Sequence, residues 1–457
     1  WHYPFENKQA FERNFPADFI CEGIDQTRGW FYTLHAIATL VMDEVAFRNV
    51  VVNGLILDDK GEKMSKSRNN SVDPFAVVST HGADVVRWYM LSNSPPWDSM
   101  KFSERGLTET RGRFFGTIEN VYKFMASYAN IDGFTFAETV VPVAERSELD
   151  QWILSRLNST VHVVDRAFEA YDCTRAARAM EQFVDELSNW YIRRSRYRFW
   201  AGKKATDQTV AVSDEGKINA YQTTFECLFG LAIMMSPIAP FFGDWLYRRL
   251  NEVGERAPHG SVHLANFPAA DKQLVRDDLE QQMGLARRIV QLVLLLRNRS
   301  KINVRQPLAR LLLVTGTKME QTVVERVKDI ILEEVNVKEI EYVADSSGVV
   351  RRSAKADYKK LGPRLGKQMK AAATAIASFD DDDIGRLLET GSTRVQTSEG
   401  VIEIAADEIE ISSEAIGKWS VAQEGALTVA LDTRIDDALR SQGYAREVVN
   451  RIQSLRK

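Results

Sequence analysis

Five consecutive residues, Lys63-Met64-Ser65-Lys66-Ser67, constrain this chain more than any other feature. They follow an apolar run, Val51-Val52-Asn53-Gly54-Leu55-Ile56-Leu57, and a turn-forming Asp58-Asp59-Lys60-Gly61. That order describes a strand which ends in a turn and delivers two lysines on a short Ser-rich loop. Ammonium groups three residues apart, flanked by hydroxyl donors, suit a polyphosphate whose negative charge grows as a bond breaks. The plainer reading, a solvated loop of lysines and serines, leaves the strand and glycine turn before it without a purpose.

The residues upstream extend the same pattern. Phe15 to Gly23 reads as a short apolar strand, Trp30 to Met42 as a helix, and Asn49 to Leu57 as a second strand. Strand, helix, strand and loop make half of a doubly wound nucleotide-binding sheet, in which ligands gather at the carboxyl ends of the strands. Cys21-Glu22-Gly23-Ile24-Asp25-Gln26-Thr27-Arg28-Gly29-Trp30 falls at such an end. There Glu22 or Asp25 suits a substrate ammonium, Gln26 a ribose or carboxylate, and Trp30 the wall of an apolar pocket. The competing reading makes Asp25 a helix N-cap and Trp30 a core residue. Downstream, Asp73-Pro74 predicts a helix start with Pro at its first position, and Asn93 to Asp98 closes the unit.

A chain of 457 residues is too long for one core and implies about three domains. From about Ser103 the apolar spacing is helical over 103–130, 147–171, 174–201, 217–235, 237–252 and 274–300, a bundle broken at Asp132-Gly133, Gly202, Ser236-Pro237 and Pro258-His259-Gly260. After Pro307 the pattern alternates again: strands at 309–315 and 336–343 around a charged helix over 318–334, half a hairpin over 396–405 turning at Ser398-Glu399-Gly400, a strand at 427–431 and a helix from Asp436. The expected fold is therefore multidomain: a half Rossmann-like α/β domain, an all-α helical bundle, and a small α/β C-terminal domain. The acidic run Asp380 to Asp383 reads as a solvated turn or helix start.

Composition excludes several classes. No apolar stretch reaches eighteen residues, and the densest, Ile289 to Leu296, is too short to span a bilayer. Cys21, Cys173 and Cys227 are far apart with no C-x-x-C pair, which argues against a disulfide scaffold or zinc knuckle and fits a reducing cytosol. The start, Trp1-His2-Tyr3-Pro4, lacks both a signal peptide and an initiator Met, as expected of an internal piece of a longer polypeptide. A net charge of -4 means that any nucleic-acid contact must be local. An unrelated ATPase would need a P-loop, and no G-x-x-x-x-G-K-[ST] occurs.

The lysine loop resembles the signature loop of the class I aminoacyl-tRNA synthetases. Gly23-Ile24-Asp25-Gln26-Thr27-Arg28-Gly29-Trp30-Phe31 resembles the isoleucyl-tRNA synthetases among them, as do Ser94-Pro95-Pro96-Trp97-Asp98, Asn189-Trp190-Tyr191-Ile192-Arg193-Arg194-Ser195-Arg196 and Val304-Arg305-Gln306-Pro307. The resemblance covers essentially the whole chain. It implies ATP-dependent attachment of isoleucine to tRNA(Ile) through isoleucyl-adenylate, with ATP bringing Mg2+ and no zinc in this segment. It also implies that Lys63, Ser65 and Lys66 are catalytic. Lys66 would bind ATP phosphates, Lys63 would help stabilise the departing pyrophosphate, and Glu22, Gly23, Asp25, Gln26 and Trp30 would hold the adenylate or isoleucine. The implied domains are 1–72 (second half of the catalytic domain), 73–104 (a stem-contact connector), 105–300 (anticodon-binding helices) and 301–457 (a C-terminal α/β domain), in a monomer. The family's His-Ile-Gly-His word, its editing domain and its cysteine-rich zinc tail do not occur in the sequence. Half a nucleotide fold should not catalyse adenylation unaided.

For tRNA, the helix over 189–200 interleaves bases and aromatics, with Trp190, Arg194 and Tyr197 expected on one face and Arg193, Arg196 and Trp200 on another. The aromatics are expected mostly in the core, with Arg193, Arg194 and Arg196 reaching RNA. A second basic run, Arg351 to Lys370, reads either as a lysine-solvated surface loop or as a tRNA contact through Lys359, Lys360 and Arg364. Arg297, Arg299, Lys301 and Arg305 form a third cluster at a helix end. The alternative from another class is a non-catalytic tRNA-binding module with a vestigial nucleotide fold.

Overall fold

The computed structural model describes residues 2, 4–68, 70–136, 138–200, 214–254, 259–314, 318–343, 350–397, 400–415, 419–425 and 427–455. The side chains of Lys66, Arg351, Arg352 and Lys367 lie outside the described set. So do residues Trp1, Tyr3, Asn69, Gly202, Pro258, Arg456 and Lys457, and the expected turn at Ser398-Glu399. The chain divides into two compact units, Trp1–Arg276 and Asp277–Lys457.

The first unit opens with a short helix α1 (Lys8–Asn14), strand β1 (Ala17–Gly23), helix α2 (Trp30–Met42) and strand β2 (Phe47–Asn53). β1 and β2 pair in parallel, with Ile20 opposite Val50 and Gly23 opposite Asn53, so the expected strand–helix–strand unit is present. A two-residue strand β3 (Ile56–Leu57) follows the second strand, and the lysine loop follows that. Helix α3 (Pro74–His81) starts where Asp73-Pro74 predicts. The Asp73 carboxylate accepts the Phe75 N–H at 2.9 Å, and Pro74 fills a position whose N–H has no helical partner. Helix α4 (Ala83–Asn93) leads to β4 (Met100–Lys101), which pairs in parallel with β3.

The bundle comprises α5 (Glu104–Thr110), α6 (Gly116–Asp132), α7 (Glu148–Glu169), α8 (Cys173–Asp185), α9 (Arg193–Trp200), α10 (Asp214–Met235) and α11 (Pro240–Gly254). Its core is built from buried stripes at helical spacing, such as Ile153, Leu157, Val161 and Val164 on α7 and Ala176, Met180, Phe183 and Leu187 along α8 and its extension. Two π turns interrupt the regular helices, Arg111–Phe115 between α5 and α6 and Glu186–Ile192 between α8 and α9. Because the dihedrals are helical on both flanks of the second, at Asp185, Glu186 and Arg193, Cys173 to Trp200 runs on as one rod about 40 Å long.

Helix α12 (Asp277–Arg299), which the periodicity alone groups with the bundle, belongs to the second unit. It packs on a four-stranded sheet of order β11-β12-β5-β6, made of β5 (Leu308–Val314), β6 (Val337–Val343), β11 (Trp419–Glu424) and β12 (Leu427–Asp432). The charged helix expected over 318–334 is split into α13 (Lys318–Arg326) and α14 (Lys328–Val335). A satellite core gathers β7 (Val350–Ala356), α15 (Tyr358–Leu365), α16 (Met369–Ala377), α17 (Asp381–Thr390), the hairpin β8 (Ser392–Thr397) and β9 (Gly400–Ala405), and β10 (Ile409–Ala415). The final helix α18 spans Asp437–Leu455.

The sequence expectations meet the structure unevenly in this unit. The basic run after Arg351 is no loop: it forms β7, α15 and α16, because Asp357 caps α15 by accepting the N–H groups of Lys359 and Lys360 at 2.9 and 3.4 Å. Strands β7, β10 and β11 carry many Arg, Lys, Ser and Glu residues and show little of the apolar signal used to find strands. Asp380 begins α17 through a capping box with Asp383, the helix-start reading of the acidic run. Among the described residues no helix is long and apolar enough to cross a membrane.

Candidate functional site

The Glu22–Trp30 segment leaves the carboxyl end of β1, where Gly23 faces Asn53 of β2, and the lysine loop follows further along the chain, beyond β3. From β1 the chain enters a 3-10 turn, Ile24–Arg28, and then α2. Gln26 ties the two together: its Nε2 donates to Asp25 Oδ2 at 2.9 Å, and its Oε1 accepts the Trp30 N–H at 2.9 Å. Gln26, rather than Asp25, thus satisfies the open N-terminus of α2. A Cβ on Gly29 would lie 2.8 Å from Gln26 Oε1, and one on Gly23 would lie 2.7 Å from Asp25 Oδ1, so both glycines make room for this network. Trp30 is not core: it is 47% exposed, its ring 6.2 Å from that of the buried Phe31. Glu22 and Asp25 are exposed. Asp25, Gln26 and Trp30 are therefore brought together. Among the described residues no hydrogen bond or ion pair joins them to Lys63 or Ser65.

Beyond β3, Asp58 organises the lysine loop. Its carboxylate accepts the N–H groups of Glu62 at 2.7 Å and Lys60 at 3.1 Å, and the Asn70 amide at 2.9 Å. Asn70 in turn accepts the Ser65 N–H at 2.9 Å and reaches the Lys63 carbonyl at 3.4 Å. The Asn70 hydrogen bond, helped by backbone N–H donors, holds the Asp58 carboxyl below its ordinary value. Gly61 turns the chain with φ of 88°, a conformation that excludes most side chains, and Lys63 bridges back to Leu57. The Ser65 and Ser67 hydroxyls lie 3.1 Å apart, and Ser65 Oγ accepts the Arg68 N–H at 3.3 Å. The result is a belted loop with an exposed Lys63. Sequence reading did not assign Asp58 and Asn70 this role; an Asp at the turn start, twelve residues before an Asn beyond the loop, was the available signal.

The helix expected to meet RNA exposes the foreseen Arg193, Arg196 and Trp200, but Tyr197 and Trp200 are not core as expected. The π turn shifts the phase, so Trp190 is buried while Tyr197 and Trp200 are 51% and 57% exposed. Arg193 and Arg196 are exposed and Arg194 is half-buried. Partial burial, then repulsion from Arg194 and Arg196, lowers the Arg193 pKa, a sign of crowded positive charge. The fourth arginine of this run, Arg198, turns inward. It makes a two-pronged pair with Asp150 at 2.8 Å through each prong, and Asp150 also accepts from the Tyr191 hydroxyl at 2.6 Å.

In the second unit, Lys360 Nζ is held by Asp407 (2.7 Å to its carbonyl), and Arg364 by Glu408 at 2.6 Å and the Glu403 carbonyl at 3.0 Å. These two cations, exposed like Lys359, are paired within the satellite domain. Arg297 of the third cluster is buried. It donates to the carbonyls of Asn303, Gln306 and Asn336 at 2.9–3.1 Å, and burial pushes its pKa down to about 10. Among the described residues no group of three or more His, Cys, Asp or Glu side chains is placed to hold a metal ion.

Comparison with known proteins places these features in context. Residues 1–103 match the family described as tRNA synthetases class I (I, L, M and V), and residues 150–313 match the anticodon-binding domain of tRNA ligase. An isoleucine–tRNA ligase of Cytophaga hutchinsonii is 48% identical over all of this chain and 40% of the relative. That of Porphyromonas gingivalis is 49% identical over all of this chain and 39% of its own length, and that of Clostridium novyi 38% identical over 43% of its length. The chain thus spans about 40% of the length of the curated relatives it matches. Among solved structures, the Mycobacterium tuberculosis methionyl-tRNA synthetase with methionyl-adenylate is 20% identical with a TM-score of 0.47, over 57% of this chain and 49% of that one.

Proposed function

Because this chain belongs to the isoleucine–tRNA ligases of the class I synthetases, we propose that it supplies the pyrophosphate-side half of an adenylating site together with the helices that grip tRNA(Ile). In the reaction, the isoleucine carboxylate attacks the α-phosphorus of ATP, the bond to the β-phosphate oxygen breaks, and pyrophosphate leaves. A tRNA ribose hydroxyl then displaces AMP from the isoleucyl-adenylate to give the ester. No protein nucleophile is needed, since positioning and charge stabilisation do the work.

In this reading Lys63 and Lys66 stabilise the charge that builds on the departing pyrophosphate, and Ser65 contributes a hydroxyl donor beside them. Glu22, Gly23, Asp25, Gln26 and Trp30 line the adenylate and isoleucine side. Gln26 is committed to the Asp25–Trp30 network by both ends of its amide. Its part is therefore to fix Asp25 and the start of α2, leaving the exposed Glu22 and Asp25 carboxylates as candidates for the substrate ammonium. Magnesium would arrive with the ATP phosphates. Arg193, Arg194 and Arg196 hold tRNA phosphates, and the exposed Tyr197 and Trp200 beside them offer stacking faces. Lys359 remains a candidate second contact, while Lys360 and Arg364 are largely committed to Asp407 and Glu408.

The observation that carries the reading is the lysine loop, belted by Asp58 and Asn70 and following the parallel β1–β2 pair from which the Asp25–Gln26–Trp30 network departs. It is tested by isoleucine-dependent ATP–pyrophosphate exchange and charging of tRNA(Ile) by the polypeptide that carries these residues. Lys63→Ala should lower kcat by about 10²–10³, with the KM for isoleucine nearly unchanged. Robust binding of tRNA(Ile) with no adenylation by that polypeptide would leave the vestigial tRNA-binding module standing instead. The 457 residues on their own should bind tRNA without catalysing exchange.

A further inference from the structure

The rod Cys173–Trp200 carries the arginine face at one end and a clasp at the other. A helix leaves its last carbonyls without partners, and here a neighbouring helix supplies them. Thr174 Oγ1 donates to the carbonyls of Leu91 at 2.7 Å and Ser94 at 3.2 Å. One turn further on, Arg178 donates through Nε to the Ser92 carbonyl at 2.9 Å and through a terminal nitrogen to that of Asn93 at 2.8 Å. Four consecutive carbonyls at the end of α4 are thereby held by two side chains of one neighbouring helix, with a cation at the negative end of the dipole. Trp88, fully buried on α4, adds a third link through its indole N–H to Glu181 at 2.8 Å.

Beyond the clasp the chain runs directly alongside the strand that leads to the lysine loop. The Gly54 N–H donates to the Pro96 carbonyl at 2.8 Å, Met100 N–H to Leu55 at 2.9 Å, and Phe102 N–H to Leu57 at 2.8 Å. A Cβ on Gly54 would lie 2.4 Å from the Asp98 carbonyl oxygen, so this contact has no slack. Tyr89 of α4 also fixes β4, donating from its hydroxyl to the Lys101 carbonyl at 3.1 Å. From Leu57 the ladder continues to Lys63. An unbroken series of helix, cap, strand pair and loop thus joins Arg193 and Arg196 to Lys63.

We propose that Thr174 and Arg178 are positioning residues for the lysine loop: they transmit occupancy of the arginine face, through the end of α4 and the Pro96–Phe102 segment, to the loop at Lys63. The inference rests on the tRNA-binding role proposed for that face. Coupling of this kind is a free energy shared between two sites, and it must vanish when the shared element is cut. The clasp is the narrowest place to cut it.

The test is amide hydrogen exchange across residues 58–68 of this chain, with and without saturating tRNA(Ile) transcript, beside a direct measurement of tRNA affinity. In the wild type, bound tRNA should slow exchange of this segment at least threefold. Thr174→Val, which removes only the hydroxyl donor, should bind tRNA within twofold of wild type and lose the slowing. Thr174→Ser should restore it, and Arg178→Lys, which keeps the charge but loses the two-pronged cap, should lose it in part. Wild-type slowing in Thr174→Val and Arg178→Lys, or tRNA binding with no slowing in the wild type, would overturn the proposal. Failure of the wild type to bind tRNA at all would remove the input to the relay and strike the tRNA-binding reading itself.

Discussion

Asp150 and Arg198 illustrate how strongly one buried pair can bind a bundle together. Asp150 is fully buried at the first turn of α7, and the Ser147 hydroxyl reaches it at 2.6 Å. Burial alone would raise its pKa, but the hydrogen bonds and charge of Arg198, with Ser147 and Tyr191, lower it below the ordinary value. Removing either partner leaves an uncompensated charge, so Arg198→Ala should cost about 3–5 kcal/mol in urea denaturation. The sign of the pH dependence follows from the lowered carboxyl. Its stabilisation is complete above the unfolded value of about 4 and is lost as pH falls through the folded one. Bundle helicity followed by circular dichroism should therefore fall away below about pH 4. Asp150→Asn should be less stable at neutrality and flatter in that window. Asp58 obeys the same sign at the exposed loop: protection of the Glu62 and Ser65 amides, relative to their intrinsic exchange at the same pH, should fall as acid protonates Asp58, and Asn70→Ala should lower it already at neutral pH.

At the scale of elements, the π turn at Glu186–Ile192 decides which side chains of the rod face water. A regular helix would place Trp190, Arg194 and Tyr197 in one line, whereas the wider turn buries Trp190 and leaves Tyr197 outside. The close pairing of Gly54 with the Pro96–Ser99 backbone is the other decisive element contact. Gly54→Ala puts a methyl group 2.4 Å from the Asp98 oxygen with only backbone to yield. It should destabilise the first unit by about 2–4 kcal/mol, seen as a lower urea midpoint.

For the whole molecule, a net charge of -4 means that affinity for RNA has to come from local clusters rather than from the overall field. If Arg193 and Arg196 each neutralise one phosphate, Arg193→Ala and Arg196→Ala should each reduce the log–log salt slope of tRNA binding by about 0.7 to 0.9. Lys360→Ala and Arg364→Ala should leave that slope nearly unchanged and lower the stability of the second unit instead, since both side chains are engaged with Asp407 and Glu408. Filter binding at several salt concentrations distinguishes the two groups.

The amino-acid sequence by itself determined the alternation of elements around the lysine loop. The β-branched strand before Gly54, the Asp73-Pro74 start of α3 and the helical stripes of the bundle are local signals, and local geometry obeys them. The lysine loop and the Glu22–Trp30 segment were legible for the same reason, because each is a contiguous word at a strand end. What only the tertiary structure decided is which of several equivalent side chains does what. Nothing in Arg193-Arg194-Ser195-Arg196-Tyr197-Arg198 marks Arg198 as the buried one; Asp150, 48 positions earlier, selects it. Nothing in a charged stretch such as Val350–Ala356 announces a strand until Ile409–Ala415 pairs with it. Periodicity reports the neighbours a residue has along its own element. Long-range partners set burial, charge pairing and strand membership, and those partners exist only once the chain has folded.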